Sequence, residues 1–316
     1  MMKKISSDRR LALSLCLVVG LVGLACEPVH WGPDLMARSP RSAEETVLVH
    51  GREGYRTYCI GCHGENGDGA GPASRFLDPR PRDFRLGVLK FAAVESGELP
   101  HDSDFDRIIR KGLSGTSMSP WPLMPSEQRY AISQYIKTFA AGAYATDLPH
   151  PTIVPTVDPW EGSDEEEVRA IGKTVYHSIA RCNSCHPSYA TARDLYEMNL
   201  KAVGNGRAGF RENMYEPVLS DSDWGIKILP PDFLVATLRT GNTLDSLYRV
   251  IVSGVGGTAM PSWKGALPEE TLWALVHYVD SLVSLRGTPA AAELRKRLAE
   301  QPAFVPPDAV RKEAQS

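Results

Sequence analysis

The chain has 316 residues, of which 42% are hydrophobic and 23% are charged, and its formal net charge at pH 7 is −3. This length accommodates two domains of ordinary size, and the composition is typical of a soluble globular protein. The mildly acidic balance argues against nucleic-acid binding, which needs a clustered basic surface.

The first 25 residues are expected to be a targeting segment. Two pairs of basic residues precede an apolar run from Leu11 to Leu24, which is followed by small residues. The run is short for a membrane-spanning helix, which needs about 20 residues, so an uncleaved anchor is disfavoured. The order of basic, apolar and small residues is typical of a secretory signal.

Two processing endings fit the sequence around Cys26. Gly23-Leu24-Ala25 satisfies the small-x-small rule of ordinary cleavage, whereas Leu24-Ala25-Cys26 resembles a bacterial lipobox, in which the cysteine is lipidated. Lipidation of Cys26 is favoured, because ordinary cleavage would leave it as an odd exported thiol. By analogy with bacterial lipoproteins, Glu27 favours the outer membrane. We therefore expect a periplasmic, lipid-anchored protein with a polar tether over residues 26–47.

The rest of the chain is dominated by two blocks that repeat each other, 48–143 and 168–286. Residues 144–167 between them contain four prolines and an acidic run, which is the composition of a semi-rigid linker. Residues 287–316 are interpreted as a C-terminal tail with one short helical stretch.

Each block has the same order of features. A helical segment is followed by Cys-x-x-Cys-His, then by an Asp-Phe pair, and later by a stretch that ends in Gly-Thr-x-Met. Each block closes with an amphipathic helix, predicted over Ser126–Phe139 and over Glu269–Leu282. No alternating strand pattern is sustained anywhere, so we predict two small all-α domains.

The Cys-x-x-Cys-His motif indicates covalently attached haem. Two thiols three residues apart reach the two vinyl groups of one porphyrin edge, and the next residue points its imidazole at the iron. Zinc sites and redox dithiols also use Cys-x-x-Cys, but here each pair lies in a separate repeat with histidine directly after it. The predicted attachment and iron-binding residues are Cys59, Cys62 and His63 in the first block and Cys182, Cys185 and His186 in the second.

The second axial ligand of each iron is predicted to be a methionine, Met118 or Met260. The stretches that end at these residues match in register, with arginine, two glycines and threonine in common. A thioether suits low-spin iron, and glycines let a loop approach the porphyrin face closely. Methionine is otherwise a common core residue, and the competitors without a repeat partner are Met124, Met198 and Met214.

Both blocks resemble class I cytochrome c domains, over about 48–140 and 170–283. The resemblance rests on the attachment motifs, on the Gly-Thr-x-Met loops, and on Gly51, Tyr55 and Tyr135 in the first block and Gly172, Tyr176 and Tyr278 in the second. It implies two covalent haem c groups and a fold in which the first and last helices of each domain cross near the haem.

The second block departs from the family pattern in three places. Pro187 replaces the glycine that usually follows the histidine, and Tyr176 lies two residues further from its cysteine than Tyr55 does. The stretch 187–230 is also long. These departures concern the surroundings of the second haem rather than its attachment.

Several other polar residues are weaker candidates. Arg80, Arg82 and Arg85 suit haem propionates, but a solvated charged face explains them as well. His177 and His277 are expected to be packing or surface residues rather than iron ligands.

Two six-coordinate irons would leave no open position for a substrate, so the expected function is single-electron relay between a donor and an acceptor protein of a respiratory chain. The alternatives are a dihaem enzyme of the peroxidase kind, and a haem subunit of a membrane terminal oxidase or quinol-oxidising complex.

Overall fold

A computed structural model of the chain describes residues 43–146, 150–208 and 210–307. The targeting segment, Cys26 and nearly all of the tether expected from the sequence lie outside these residues. No helix in the described part of the chain is long and apolar enough to cross a membrane. The described residues from Val47 onward form one compact unit, to which both repeated blocks belong.

The first block is helical, with long loops between its helices. Its three longest helices place apolar residues in the core of the block, among them Tyr55, Phe105 and Ile132. In chain order the elements are α1 (Ala43–Tyr58), α2 (Ile60–His63), a 3₁₀ turn (Ser74–Phe76), α3 (Asp102–Lys111), α4 (Ser126–Lys137), a second 3₁₀ turn (Thr138–Ala140) and α5 (Ala141–Ala145).

The second block repeats this order and adds elements to it. The additions are a helix and a two-stranded antiparallel hairpin within 187–230, and a helix after the closing one. The elements are α6 (Glu165–Thr174), a π-helical turn (Val175–Ile179), a 3₁₀ turn (Cys182–Ser184), α7 (Ala192–Val203), β1 (Ser220–Asp221), β2 (Lys227–Ile228), α8 (Leu244–Ser253), α9 (Glu269–Ser284) and α10 (Pro289–Ala299). The predicted all-α fold class is confirmed.

The first and last helices of each block cross at a glycine. A Cβ atom on Gly51 of α1 would lie 2.0 Å from the carbonyl oxygen of Ala131 on α4. A Cβ atom on Gly172 of α6 would lie 2.0 Å from the carbonyl oxygen of Ala274 on α9. Only glycine allows so close an approach of two backbones. The crossing that the resemblance implies is therefore present in both blocks.

The linker expected over 144–167 is tied first to the first block and then to the second: the N–H of Ile153 donates to the carbonyl oxygen of Ala93 at 2.7 Å, and the residues after it contact the second block. Ile153 is buried in the core of that block. The indole N–H of Trp160 donates to the carbonyl oxygen of Glu270 at 2.8 Å, and Nε2 of His277 lies 2.8 Å from a carboxylate oxygen of Asp158. These contacts fix the course of the proline-rich segment along the closing helix α9.

His177 is a buried packing residue, as the sequence indicates. Its Nε2 accepts a hydrogen bond from the backbone N–H of Tyr189 at 3.1 Å, so the proton is on Nδ1, which donates to the carbonyl oxygen of Lys173 at 2.8 Å. Both ring nitrogens are used, and neither is left for iron. Burial lowers the pKa of His177 to about 3.

Replacing Gly172 by alanine should destabilise the second block, because the new methyl group meets backbone rather than a flexible side chain. We expect a loss of about 2 kcal/mol or more in the free energy of unfolding, measured by chemical denaturation. Gly142→Ala is the matched control, since a Cβ at this exposed position in α5 meets nothing within 4 Å. Equal stabilities of the two variants would contradict the crossing geometry.

His177 should make the protein less stable in acid. Its folded-state pKa is about 3, below its ordinary value, so between about pH 6.5 and 3 the unfolded chain binds a proton that the folded chain does not. Stability is thus lost as the pH falls below about 6.5. Between pH 7.5 and 5, His177→Gln should lose about 2 kcal/mol less than the unaltered protein in denaturant titrations. The variant of the exposed His50, His50→Gln, should keep the full acid dependence.

Candidate haem-binding sites

The two Cys-x-x-Cys-His motifs fold into similar turns. In the first, the backbone N–H of His63 donates to the carbonyl oxygen of Cys59 at 2.9 Å; in the second, that of His186 donates to Cys182 at the same distance. The four motif cysteines form no disulfide. Burial raises the pKa of Cys59 and of Cys182 to about 12. A raised pKa is opposite to what a redox dithiol or a zinc thiolate needs.

Each motif histidine is oriented by a carbonyl group. Nδ1 of His63 lies 3.0 Å from the carbonyl oxygen of Arg82, and Nδ1 of His186 lies 3.0 Å from that of Pro231. A carbonyl oxygen only accepts, so each Nδ1 carries the proton and each Nε2 keeps its lone pair for a metal. Burial lowers the pKa of both histidines, which favours the neutral ring that a metal requires.

The Asp-Phe pairs of the repeat belong to these sites, a role that the sequence did not reveal. The accepting carbonyls come from the residue directly before each pair. The ring of Phe84 stacks on His63 with centroids 4.5 Å apart, and that of Phe233 stacks on His186 at 5.0 Å. The repetition of the Asp-Phe pair in both blocks is the sequence signal that could have indicated this role.

The shifted tyrosine of the second block makes the same contact as its counterpart. Tyr55 donates its hydroxyl hydrogen to the carbonyl oxygen of Gly64 at 2.7 Å, and Tyr176 donates to that of Pro187 at 2.9 Å. The two additional residues are accommodated by the π-helical turn Val175–Ile179 and by a left-handed residue, Arg181, with φ of 53°. The departures seen in the sequence therefore conserve the geometry around the attachment turn.

The two loops with the predicted methionine ligands are built alike. In each loop, the carbonyl oxygen of the methionine accepts a hydrogen bond from the backbone N–H five residues earlier in the chain. The threonine hydroxyl donates to the carbonyl oxygen of that same earlier residue and accepts from the N–H of the methionine. Met118 and Cys59 both pack against the core of the first block, and Met260 and Cys182 against that of the second. Each predicted ligand thus lies on the same core as its attachment turn.

The three competing methionines are placed differently. Met124 is buried in the core of the first block, at 8% exposure. Met198 lies half-buried on α7, and Met214 contributes its backbone carbonyl oxygen to Ser188 at 2.7 Å. The assignment of Met118 and Met260 to the irons stays a prediction.

The methionine loop of each block contacts the other block, and the contact is reciprocal. The N–H of Ser114 donates to the carbonyl oxygen of Arg239 at 2.9 Å, and the N–H of Gly256 donates to that of Lys90 at 3.1 Å. Ser114 and Gly256 occupy the same position of the repeated loop. Lys90 and Arg239 each lie six residues after the phenylalanine of an Asp-Phe pair. Such exchange of equivalent contacts is the mark of an approximate two-fold relation.

A cluster of cations lies at this contact. The guanidinium of Arg82 stacks on the ring of Trp224 at 3.6 Å, and the ammonium of Lys90 lies 5.8 Å from the same ring. Burial lowers the pKa of Arg82 to about 10, and burial with the nearby Arg82 and Arg239 lowers that of Lys90 to about 8. Among the described residues neither side chain has a salt-bridge partner, and the buried indole N–H of Trp224 has no acceptor.

These residues fit haem c. The protein offers paired thiols, a histidine with a free Nε2 beside them, and a set of cations with an indole N–H that suits carboxylate groups such as propionates. Of the three arginines singled out in the sequence, Arg82 belongs to this set. Arg85 instead pairs with Asp83 at 2.7 Å, and Arg80 is exposed.

Comparison with known proteins agrees with this geometry. The model of the family described as cytochrome C oxidase, cbb3-type, subunit III matches residues 47–136 and 167–279. A solved chain of the Kuenenia stuttgartiensis reducing HAO-like protein complex Kustc0457/Kustc0458 is similar, with a TM-score of 0.58 and 31% sequence identity. That similarity covers 74% of this chain and 96% of the solved one. No curated protein matches.

The family model matches twice, each time over an attachment turn and the loop with its candidate methionine, and the two matches together span more than half of the chain. The chain belongs to this family of c-type cytochromes and is a tandem of two class I cytochrome c domains.

Proposed function

We propose that this protein is an exported dihaem c-type cytochrome that relays single electrons between redox partners of a respiratory chain. The observation that supports this most is the repeated hydrogen bond from Nδ1 of His63 and of His186 to a carbonyl oxygen. It prepares an iron-binding nitrogen in both blocks, next to two thiols in each case.

Each of the site residues would have a defined role in holding the two haem groups. Cys59 and Cys62 would hold one haem c by thioether bonds, and Cys182 and Cys185 the other. His63 and His186 would each be one ligand of an iron, and Met118 and Met260 would each be the second. Each haem would supply one-electron chemistry between the ferric and ferrous states, with no bond made or broken in a substrate.

The contact between the blocks supports transfer within one chain. Both methionine loops lie at it, and both are hydrogen-bonded to the opposite block through Ser114 and Gly256. The cations Arg82 and Lys90 lie at the same contact, where they would neutralise the negative charge of propionates. The arrangement favours an electron path from one block to the other.

The family match also favours a second candidate function. The matching family is that of subunit III of cbb3-type cytochrome c oxidase, which suggests a haem subunit of a membrane terminal oxidase or quinol-oxidising complex. Electron transfer would be the same in that case, and the partners would differ. The third candidate is a dihaem enzyme of the peroxidase kind, a class in which one coordination position of an iron opens for a substrate.

Loss of either methionine should open one iron. In Met118→Ala and in Met260→Ala we expect one of the two midpoint potentials to fall in a redox titration, since thioether ligation raises the potential relative to more basic ligands. The absorption spectrum of the same haem should change, and the other haem should be unaffected. Met124→Leu is the control for a methionine that only packs. An unchanged potential and spectrum in both alanine variants would show that the ligands are other residues.

Carbon monoxide distinguishes the relay from the enzyme. A relay with two closed irons should bind it only in the alanine variants, after reduction. Strong binding to one haem of the unaltered reduced protein would favour the peroxidase-like reading.

We also propose that the protein is periplasmic, anchored by a lipid on Cys26 at a membrane, with the outer membrane favoured. A thiol directly after a secretory signal supports this location. In the native host, Cys26→Ser should move the protein from the membrane fraction to the soluble periplasmic fraction while both haems remain attached. Retention of the Cys26→Ser variant in the membrane fraction would contradict the lipid anchor.

Purification from detergent-solubilised membranes tests the partners. If oxidase or quinol-oxidising subunits purify with the unaltered protein, the second candidate function is favoured.

A further inference from the structure

The first attachment turn is closed by backbone N–H groups alone. Gly64 donates to the carbonyl oxygen of Ile60 at 2.9 Å, and Gly71 donates to that of Cys62 at 3.1 Å. Gly69 donates to the carbonyl oxygen of the iron-binding His63 at 2.9 Å. All of these donors are electrically neutral and come from the glycine-rich loop directly after the motif.

In the second attachment turn, Pro187 has no N–H group and cannot make the hydrogen bond that Gly64 makes in the first. The carbonyl oxygen of Cys185 still accepts from a backbone N–H, that of Val218 at 2.8 Å, but two other carbonyl oxygens of this turn accept from a side chain. Nε of Arg211 donates to the carbonyl oxygen of Asn183, which corresponds to Ile60, at 3.1 Å, and Nη2 donates to that of His186, also at 3.1 Å. The guanidinium is held by further carbonyl oxygens, those of Asn213, Met214 and Glu216.

The exchange of donors adds a charge. A guanidinium stays protonated under all ordinary conditions, whereas a backbone N–H is neutral. Among the described residues, no lysine or arginine side chain hydrogen-bonds to the first turn: the guanidinium of Arg82 lies on Trp224 and acts on His63 through its charge alone. The side chain of Arg211 is half-buried, so solvent screens its charge incompletely. The carboxylate that acts on this charge is that of Glu216, which is exposed.

We propose that Arg211 is a positioning residue that holds the second attachment turn and raises the reduction potential of the second haem. Reduction adds one electron to ferric iron and no proton, so the site gains one negative charge. A fixed cation hydrogen-bonded to the carbonyl group of the axial histidine stabilises that charge. The electron comes from the first haem or from a donor protein, which is oxidised in the same step. The proposal rests on haem attachment at Cys182 and Cys185.

The experiment is a spectroelectrochemical titration of the haem-loaded protein. Arg211→Gln, which removes the charge, should lower one midpoint potential and leave the other unchanged. Arg211→Lys, which keeps the charge but cannot bridge several carbonyl oxygens, should keep both potentials near their original values while lowering the melting temperature. Lys201→Gln is the control, because it makes the same charge change at an exposed position of the same stretch.

A fourth variant, Glu216→Gln, tests the proposal independently in case Arg211→Gln incorporates haem poorly. Glu216 contributes only its backbone carbonyl to the hydrogen bonds of the guanidinium, so Glu216→Gln leaves them intact and removes a compensating charge. It should raise the same midpoint potential, whereas Glu212→Gln, at an exposed position nearby, should not.

The outcomes separate charge from packing. Equal falls in potential for Arg211→Gln and Arg211→Lys would show that loosening of the turn, not charge, is responsible, and would overturn the proposal. So would unchanged potentials in Arg211→Gln and Glu216→Gln. Failure of the underlying haem assignment is distinguishable, because the intact mass of the unaltered protein would then lack the increment of a second haem.

Discussion

The hydrogen bond from the Nδ1 of each motif histidine to a backbone carbonyl is the constraint on which the rest of the structure depends. It fixes the tautomer and the direction of the ring, so that Nε2 faces the place where an iron would be held. The accepting carbonyl group must therefore lie at a fixed position beside the attachment turn. The Asp-Phe pair secures this, because the phenylalanine ring that follows stacks on the imidazole. The phenylalanines lie in the same cores as apolar residues of the closing helices, which cross the first helices at Gly51 and Gly172.

The second block shows how this constraint survives changes of sequence. Two additional residues before its motif are taken up in a π-helical turn, so Tyr176 still reaches the carbonyl group after the histidine. The proline after the histidine removes a donor, and Arg211, which lies 25 residues after the histidine, supplies another. The geometry at the iron-binding nitrogen is the same, but the electrostatic surroundings of the two turns differ. A tandem of similar domains can in this way hold two chemically distinct redox centres.

The sequence predicted what is encoded locally or by repetition. The attachment turns, the methionine loops and both closing helices follow from short motifs or from helical periodicity, and the helices end within a few residues of the expected positions. The hairpin was not expected, because strands of two residues such as Ser220–Asp221 leave no alternating pattern. Arg211 carried no signal either, since it has no counterpart in the first block and acts only through tertiary contacts. The contact between Ser114 and Arg239 depends on how two folded domains meet, which neither repeat encodes alone.

That reciprocal contact makes the methionine loop of each half of the chain depend on the other half for a hydrogen bond. The N–H groups of Ser114 and Gly256 find their acceptors only across the domain boundary, and Trp224 of the second half covers Arg82 of the first. Either domain produced by itself would leave these donors and this aromatic face to water, next to a loop that carries one of the candidate methionines. The duplicated domains are therefore no longer interchangeable modules. A substitution in one methionine loop changes a contact with the other domain, so we expect substitutions in the two domains to be correlated among related proteins.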